Sequence, residues 1–205
     1  MLIAHEVAAG LGPLLKRPLP PEEEGRKFSR VVVDSRIVEP GDLFVALRGE
    51  HTDGHRFIPD ALKRGATGVL AATPDATFVV ADPLRALQHI ASARRTALGT
   101  RTIGITGSVG KTTTKEAVAG LLARFFPVLK SRGNLNTEIG LPLTLLDLEP
   151  QHRYLVAEMG MNAPGDIAQL CRFARPDIGA STNPAPPSPF ASQVHGAVRD
   201  EEGSG

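Results

Sequence analysis

Short runs of β-branched and aliphatic residues alternate with stretches of helical periodicity along most of the chain. Val31, Val32 and Val33 form one apolar run, and Phe44 to Leu47 a second. Phe57, Ile58, Ala61 and Leu62 then recur at helical spacing, with Gly65 where a helix would end. GVLAA and TFVVAD predict two more strands, and a helix opened by Pro83 follows. Leu84, Leu87, Ala91 and Leu98 mark the stripe that this helix would bury. From residues 99–101 onward the alternation becomes regular. TIGIT, PVLKS, YLVAEMG and DIGAST read as strands. Between them lie three helices. The first starts at Lys111, with Ala117, Val118, Leu121, Leu122 and Phe125 on one face. The second is IGLPLTLLDL, despite Pro142, and the third is opened by Pro164. Strand–helix alternation of this kind predicts parallel sheets covered by helices.

The expected fold is therefore α/β. It has a small N-terminal α/β domain over residues 1–98, with a Pro- and Glu-rich loop from Pro18 to Lys27, and a parallel-sheet domain over 99–183. Residues 184–205 contain PAPPSP and end in DEEGSG. Proline cannot donate to a sheet ladder, so this segment is expected to be irregular.

Composition narrows the functions. Net charge is +1, from 23 Lys and Arg against 22 Asp and Glu, so no broad positive field would hold nucleic acid. Any anionic ligand must be held by a local site. Cys171 is the only cysteine, which rules out an intramolecular disulfide and favours the cytoplasm. It lies in an apolar helical pattern with no adjacent His and is expected to be a buried structural thiol. The opening MLIAHEVAAGLGPLL is interrupted by Glu6 and preceded by no basic segment, so an amphipathic first helix is expected rather than a signal peptide. No run approaches the ~18 apolar residues a membrane helix needs.

The chemistry concentrates in GITGSVGKTTTKEA. A strand ends at Thr106, a small-residue loop runs through Gly107, Ser108, Val109 and Gly110, and a helix starts at Lys111. Successive backbone N–H groups in such a loop wrap phosphates, aided by the positive helix end. Gly107 and Gly110 let the main chain come close to the oxygens. Lys111 can reach the β- and γ-phosphates, Thr113 extends the cradle, and the Thr112 hydroxyl can ligate Mg²⁺. The strict pattern G-x-x-x-x-G-K-[ST] would need glycine at position 105, which is Ile105, so the loop is a variant. The metal needs a second protein ligand, and Glu158 ends YLVAEMG, where a carboxylate would face the same crevice. Asn134, Asn136 and Thr137 lie in GNLNTEIGLP, a loop suited to positioning a substrate. In the first domain, Asp34, Ser35 and Arg36 follow one strand and RGEHTDGHRF follows another. Polar loops at strand ends suit a phosphorylated or sugar-bearing ligand, although Asp34 could simply cap a turn and His51 and His55 could simply be exposed.

Taken together, DSRIVEPGDLFVALRGEHTDGHRFI, GITGSVGKTTTKEA, GNLNTEIGLPLTLL and LVAEMGMNAPGDI resemble the Mur ligases almost continuously from Asp34 to Asn183. EMGMN after the strand resembles the branch that adds D-alanyl-D-alanine to UDP-N-acetylmuramoyl-tripeptide. The resemblance implies an ATP- and Mg²⁺-dependent ligase of peptidoglycan precursor synthesis, acting as a cytoplasmic monomer. ATP would phosphorylate the terminal carboxylate of the tripeptide, and the amine of D-alanyl-D-alanine would attack the acyl phosphate. Lys111 would be catalytic, Thr106 to Thr113 would hold ATP, and Thr112 and Glu158 would hold the metal. Ser35, Arg36, Asp53, Gly54 and His55 would lie along the uridine-diphosphate path, and Asn136 and Thr137 would sit where sugar and γ-phosphate meet. Two departures stand out. Thr137 replaces a second asparagine common in relatives. After Thr182 and Asn183, position 188 is Ser and no Lys follows, where the family has a His and a Lys that complete the site. The expectation is a truncated ATPase domain, inactive alone, arising from a shortened or frame-shifted chain. A non-catalytic nucleotide- or UDP-sugar-binding module, and a ligase adding a different amino acid, stay open.

Overall fold

The computed structural model describes residues 1–49, 52–161 and 163–182. His51, Asn183 and the proline-rich segment, expected to be irregular, lie outside the described residues. The chain divides into two compact units between Arg94 and Arg95.

The first unit holds β1 (Leu2–Ile3), α1 (Ala4–Leu11), β2 (Lys27–Phe28), β3 (Val31–Val32), β4 (Leu43–Val45), α2 (Ile58–Lys63), β5 (Gly68–Ala71), β6 (Phe78–Val79) and most of α3 (Pro83–Leu98). β1 and β2 pair antiparallel, while β3, β4, β5 and β6 form a parallel sheet in that order. All three residues of β4 are buried, as expected of a parallel strand covered on both faces. Val32, Phe44, Val69 and Ala71 join Val38, Ala61 and Ala66 in one core cluster. Phe28 meets Phe78 edge-on, with centroids 6.0 Å apart. A Cβ on Gly68 would come 2.5 Å from the Phe28 ring, so that glycine makes room for the aromatic pair. Asp42 is fully buried, and Arg30 clamps it through Nε at 3.1 Å and Nη2 at 2.7 Å. Such a bidentate pair offsets the cost of taking the carboxylate out of water.

The second unit follows with β7 (Arg101–Gly107), α4 (Lys111–Leu122), β8 (Val128–Lys130), α5 (Gly140–Leu146), β9 (Tyr154–Glu158), α6 (Asp166–Ala174) and β10 (Ile178–Thr182). Its sheet runs β10-β7-β9-β8, parallel throughout. The chain crosses from β7 by α4 to β8 on one side, and from β9 by α6 to β10 on the other. Right-handed crossovers therefore carry α4 and α6 to opposite faces. Ile103, Ile105, Val156 and Ala119 form the core under α4. Elsewhere Leu141, Leu145, Leu155, Leu170 and Phe173 are buried. Pro142 falls in the first turn of α5, where a missing N–H costs nothing. No described helix is long and apolar enough to cross a membrane.

Several local expectations change. The N-terminal apolar stretch is not one helix but a two-residue strand, an eight-residue helix and a 3₁₀ turn at Gly12–Leu14. The strand expected at Phe44 to Leu47 is β4, one residue earlier and shorter. In α3, Leu87 and Ala91 are buried as expected, but Leu84 and Leu98 only half so; Ala86 and Ile90 complete the stripe. The buried face of α4 is Lys115, Val118, Ala119 and Leu122, whereas Leu121 and Phe125 are 64% and 73% exposed. Apolar periodicity misplaced this face because a lysine occupies one of its inward positions. α6 begins at Asp166, not Pro164, because Gly165 is left-handed at φ 100° and the Asp166 carboxylate closes a turn on the Ala163 N–H at 2.8 Å. Arg95 reaches Asp177 at 2.6 Å and Thr102 at 3.3 Å, contacts inside the second unit, to which the last turn of α3 belongs.

Candidate active site

Gly107 and Gly110 have φ of 130° and 87°, left-handed values that side chains resist. A Cβ on Gly107 would overlap the Thr182 carbonyl at the end of β10, so backbone stands against backbone there. The Thr182 hydroxyl lies 2.7 Å from the Val109 carbonyl and 3.1 Å from that of Thr106, clipping both shoulders of the loop to β10. Thr106 is buried at the strand end, while Ser108, Val109, Gly110, Thr112 and Thr113 are exposed. Among the described residues no group accepts from the N–H of Ser108, Val109 or Gly110. The first N–H groups of α4 have no intrahelical acceptor by construction. The loop thus presents a row of free donors over a positive helix end. Lys111 folds across it, donating from Nζ to the Gly107 carbonyl at 2.6 Å.

Ile105 and Glu158 are register partners on the adjacent strands β7 and β9. The Thr112 hydroxyl donates to Glu158 Oε2 at 2.8 Å, and Asn136 Nδ2 donates to Oε1 at 3.0 Å. The Glu158 backbone N–H donates to Ser131 Oγ at 2.9 Å, which fixes the main chain from which the carboxylate projects. Glu158 is 5% exposed, and Lys115 Nζ lies 3.8 Å from its Oε2. Asn136 is fixed in turn by the Gly160 N–H at 2.8 Å; a Cβ at Gly160 would press on its amide at 2.9 Å. Thr137 Oγ1 accepts from Gly140 N at 3.3 Å and so steadies the start of α5 rather than facing Glu158. The loop, Thr112, Asn136 and Glu158 are brought together, as their sequence positions predicted. Ser131, Lys115 and the clip by Thr182 were missed. Only Lys115 left a signal: a lysine on the stripe where α4 is otherwise apolar.

In the first unit, Asp34 accepts from the Arg36 N–H at 3.0 Å and from its guanidinium at 2.9 and 2.7 Å. Those side-chain and backbone bonds from Arg36 lower the Asp34 pKa to about 2. Ser35 is buried, and its hydroxyl has no protein partner among the described residues. Asp53, Gly54 and His55, expected on the ligand path, spend their polar atoms within the unit. Asp53 Oδ1 accepts from His55 N at 3.0 Å and lies 2.6 Å from His55 Nδ1; this bonding lowers the Asp53 pKa. The Ala72 N–H donates to His55 Nε2 at 2.9 Å, which fixes the proton on Nδ1. His55 is mostly buried, not exposed. A Cβ at Gly54 would meet the Leu47 carbonyl at 2.5 Å. The triplet thus fastens a 3₁₀ turn to the segments that leave β4 and β5 at their C-terminal ends.

A glycine loop leading from a central parallel strand into a helix, with a buried carboxylate from the next strand against that helix's first threonine, defines a P-loop nucleotide-binding α/β domain. The chain belongs to the Mur ligase family. Residues 27–107 match the model described as Mur ligase family, catalytic domain, and residues 105–186 that of the Mur ligase middle domain. The UDP-N-acetylmuramoyl-tripeptide–D-alanyl-D-alanine ligase of Synechocystis sp. is 47% identical over 167 residues, covering 78% of this chain and 37% of that protein. The structure of the UDP-N-acetylmuramoylalanyl-D-glutamyl-2,6-diaminopimelate–D-alanyl-D-alanyl ligase from Acinetobacter baumannii is 35% identical with a TM-score of 0.79, over 89% of this chain and 42% of that one. MurF ligase from Thermotoga maritima in complex with ADP is 37% identical with a TM-score of 0.67, over 83% and 41%. The chain therefore spans well under half the length of these relatives.

Proposed function

We propose that the chain is the acceptor-binding unit and part of the ATP-binding unit of a ligase that joins D-alanyl-D-alanine to UDP-N-acetylmuramoyl-tripeptide in peptidoglycan precursor synthesis. The observation that carries this reading is the meeting of the glycine loop, Thr112, Asn136 and Glu158 at the ends of β7 and β9. The name of the 47% identical relative supports the choice of substrates. The backbone of Thr106, Gly107, Ser108, Val109, Gly110, Lys111, Thr112 and Thr113 receives the ATP phosphates. Lys111 exchanges its bond to Gly107 for the transferring phosphoryl and neutralises charge developing there.

Mg²⁺ fits the donor set. Thr112 and Glu158 offer hard oxygens, and no cluster of three His, Cys, Asp or Glu gathers among the described residues. An ion that keeps its waters and shares phosphate oxygens needs no larger protein cage. When bound it would supply electrostatic stabilisation of the phosphates, with Asn136 keeping the carboxylate turned toward the loop. Ser35 and Arg36 meet the UDP-bearing acceptor, and the free Ser35 hydroxyl is the group that most directly invites it. Asp53, Gly54 and His55 shape that subsite from behind. Thr137 sets the loop that carries Asn136. Nucleotide substrates of this kind imply a cytoplasmic setting, and the chain is proposed to act there as a monomer. Calorimetry of the purified polypeptide with Mg·ATP and, separately, with UDP-N-acetylmuramoyl-tripeptide tests the reading. Both bind if it holds. ATP binding without any UDP-muramoyl-peptide binding would leave only a nucleotide-binding module.

A further inference from the structure

Lys115 takes no part in the scheme above, yet it is 2% exposed and is the one lysine on the buried face of α4. Burying an ammonium is costly unless an opposite charge compensates it. Two carboxylates stand near: Glu116 Oε1 at 3.6 Å and Glu158 Oε2 at 3.8 Å. Glu116 is half exposed and already pairs with Lys130. Glu158 is buried, and its other neighbours, Thr112 and Asn136, are neutral donors. Lys115 is therefore the charge that balances Glu158, and its ammonium and the Thr112 hydroxyl stand against the same carboxylate oxygen, Oε2. A divalent ion on Thr112 and Glu158 would have this fixed positive charge beside the carboxylate it shares.

We propose that Lys115 is a positioning residue that holds Glu158 as its resident counter-ion and repels a free divalent cation, so that the ion is retained only when it arrives with nucleotide phosphates. The phosphate charge offsets the ammonium, and metal and nucleotide binding become coupled. This rests on the reading of Glu158 as a metal ligand.

The test uses Mn²⁺, counted free in solution by electron paramagnetic resonance, with the polypeptide alone and with ADP. Wild type is expected to hold Mn²⁺ weakly alone and tightly with ADP. Lys115→Met is expected to bind Mn²⁺ at least tenfold tighter without nucleotide and to gain less from ADP. Lys115→Arg, which keeps the charge, should behave as wild type. Unchanged or weaker Mn²⁺ binding by nucleotide-free Lys115→Met overturns the proposal. The underlying reading fails separately if Glu158→Gln binds Mn²⁺ with ADP as well as wild type does. Should Lys115→Met not fold, thermal unfolding of Lys115→Met/Glu158→Gln decides the pairing. The double variant should melt above Glu158→Gln, whose buried ammonium keeps only the half-exposed Glu116, and a melting temperature at or below that of the single variant overturns it.

Discussion

At the scale of single residues, the loop depends on the charge of Lys111 and on two left-handed glycines, Gly107 and Gly110. Lys111 is held over the loop by its bond to the Gly107 carbonyl, the bond that a phosphate would replace on the proposed reading. Lys111→Ala is expected to weaken Mg·ATP at least tenfold, about 1.4 kcal/mol, in calorimetry. Equal affinities would remove the loop from the site. Asp34 gives a pH signature. Its pKa of about 2, set by the Arg36 bonds, lies below the unfolded value of ~3.9. The stability it adds is therefore full above about pH 4 and is lost as pH falls through about 2. The stability gap between wild type and Asp34→Asn should shrink over that window. The side chain is one-third exposed and screened by water, so the gap should be small. Cys171 runs the other way, with burial raising its thiol to about 11. Its alkylation at pH 8 should be roughly tenfold or more slower in the native chain than in urea.

At the scale of elements, α4 and α5 differ in what they bury. Leu121 points outward from α4, whereas Leu145 on α5 is fully buried. Urea unfolding should show Leu121→Ala within about 0.5 kcal/mol of wild type. Leu145→Ala should cost about 2–5 kcal/mol in the transition of the second unit. The reverse order would mean that α4 packs by its apolar residues after all. The placement of α4 also has a chemical consequence. The same inward stripe that carries Ala119 carries Lys115, so the helix that caps the sheet delivers a charge to the carboxylate of β9.

Across the whole molecule, the first unit has its own sheet and core, and α3 buries Pro83, Ala86, Leu87, Ile90 and Ala91 before the division. A fragment ending near Gly99 should fold alone and bind UDP-muramoyl peptides weakly. NMR shifts on adding ligand should then centre on Ser35 and Arg36; shifts confined to other loops would refute that subsite. The full 205 residues span 37% of the Synechocystis relative. Ligation requires acyl phosphate and amine to be held together, and such positioning can supply roughly 7–11 kcal/mol of the barrier. The polypeptide on its own should bind nucleotide yet form no UDP-muramoyl-pentapeptide detectable by mass spectrometry. Multiple turnover would show that the remaining length of the relatives is dispensable.

Local order along the chain was enough for the alternating runs, the small-residue loop between strand and helix, and the carboxylate at a strand end. Strand–helix alternation forces a parallel sheet, and a parallel sheet puts every strand's C-terminal end on one edge. Thr112 and Glu158 could therefore be assigned to one crevice across 46 positions of chain. Tertiary structure alone decided which face of α4 turned inward, because the sheet accepts a lysine there once Glu158 is opposite, and hydrophobic periodicity cannot register a paired charge. It alone decided that Asp53 and His55 bond each other and the Ala72 amide, since a polar triplet reads the same whether its partners are ligand or backbone. It also decided that Thr182 braces the loop from β10, a contact made across 76 residues, for which no local pattern exists.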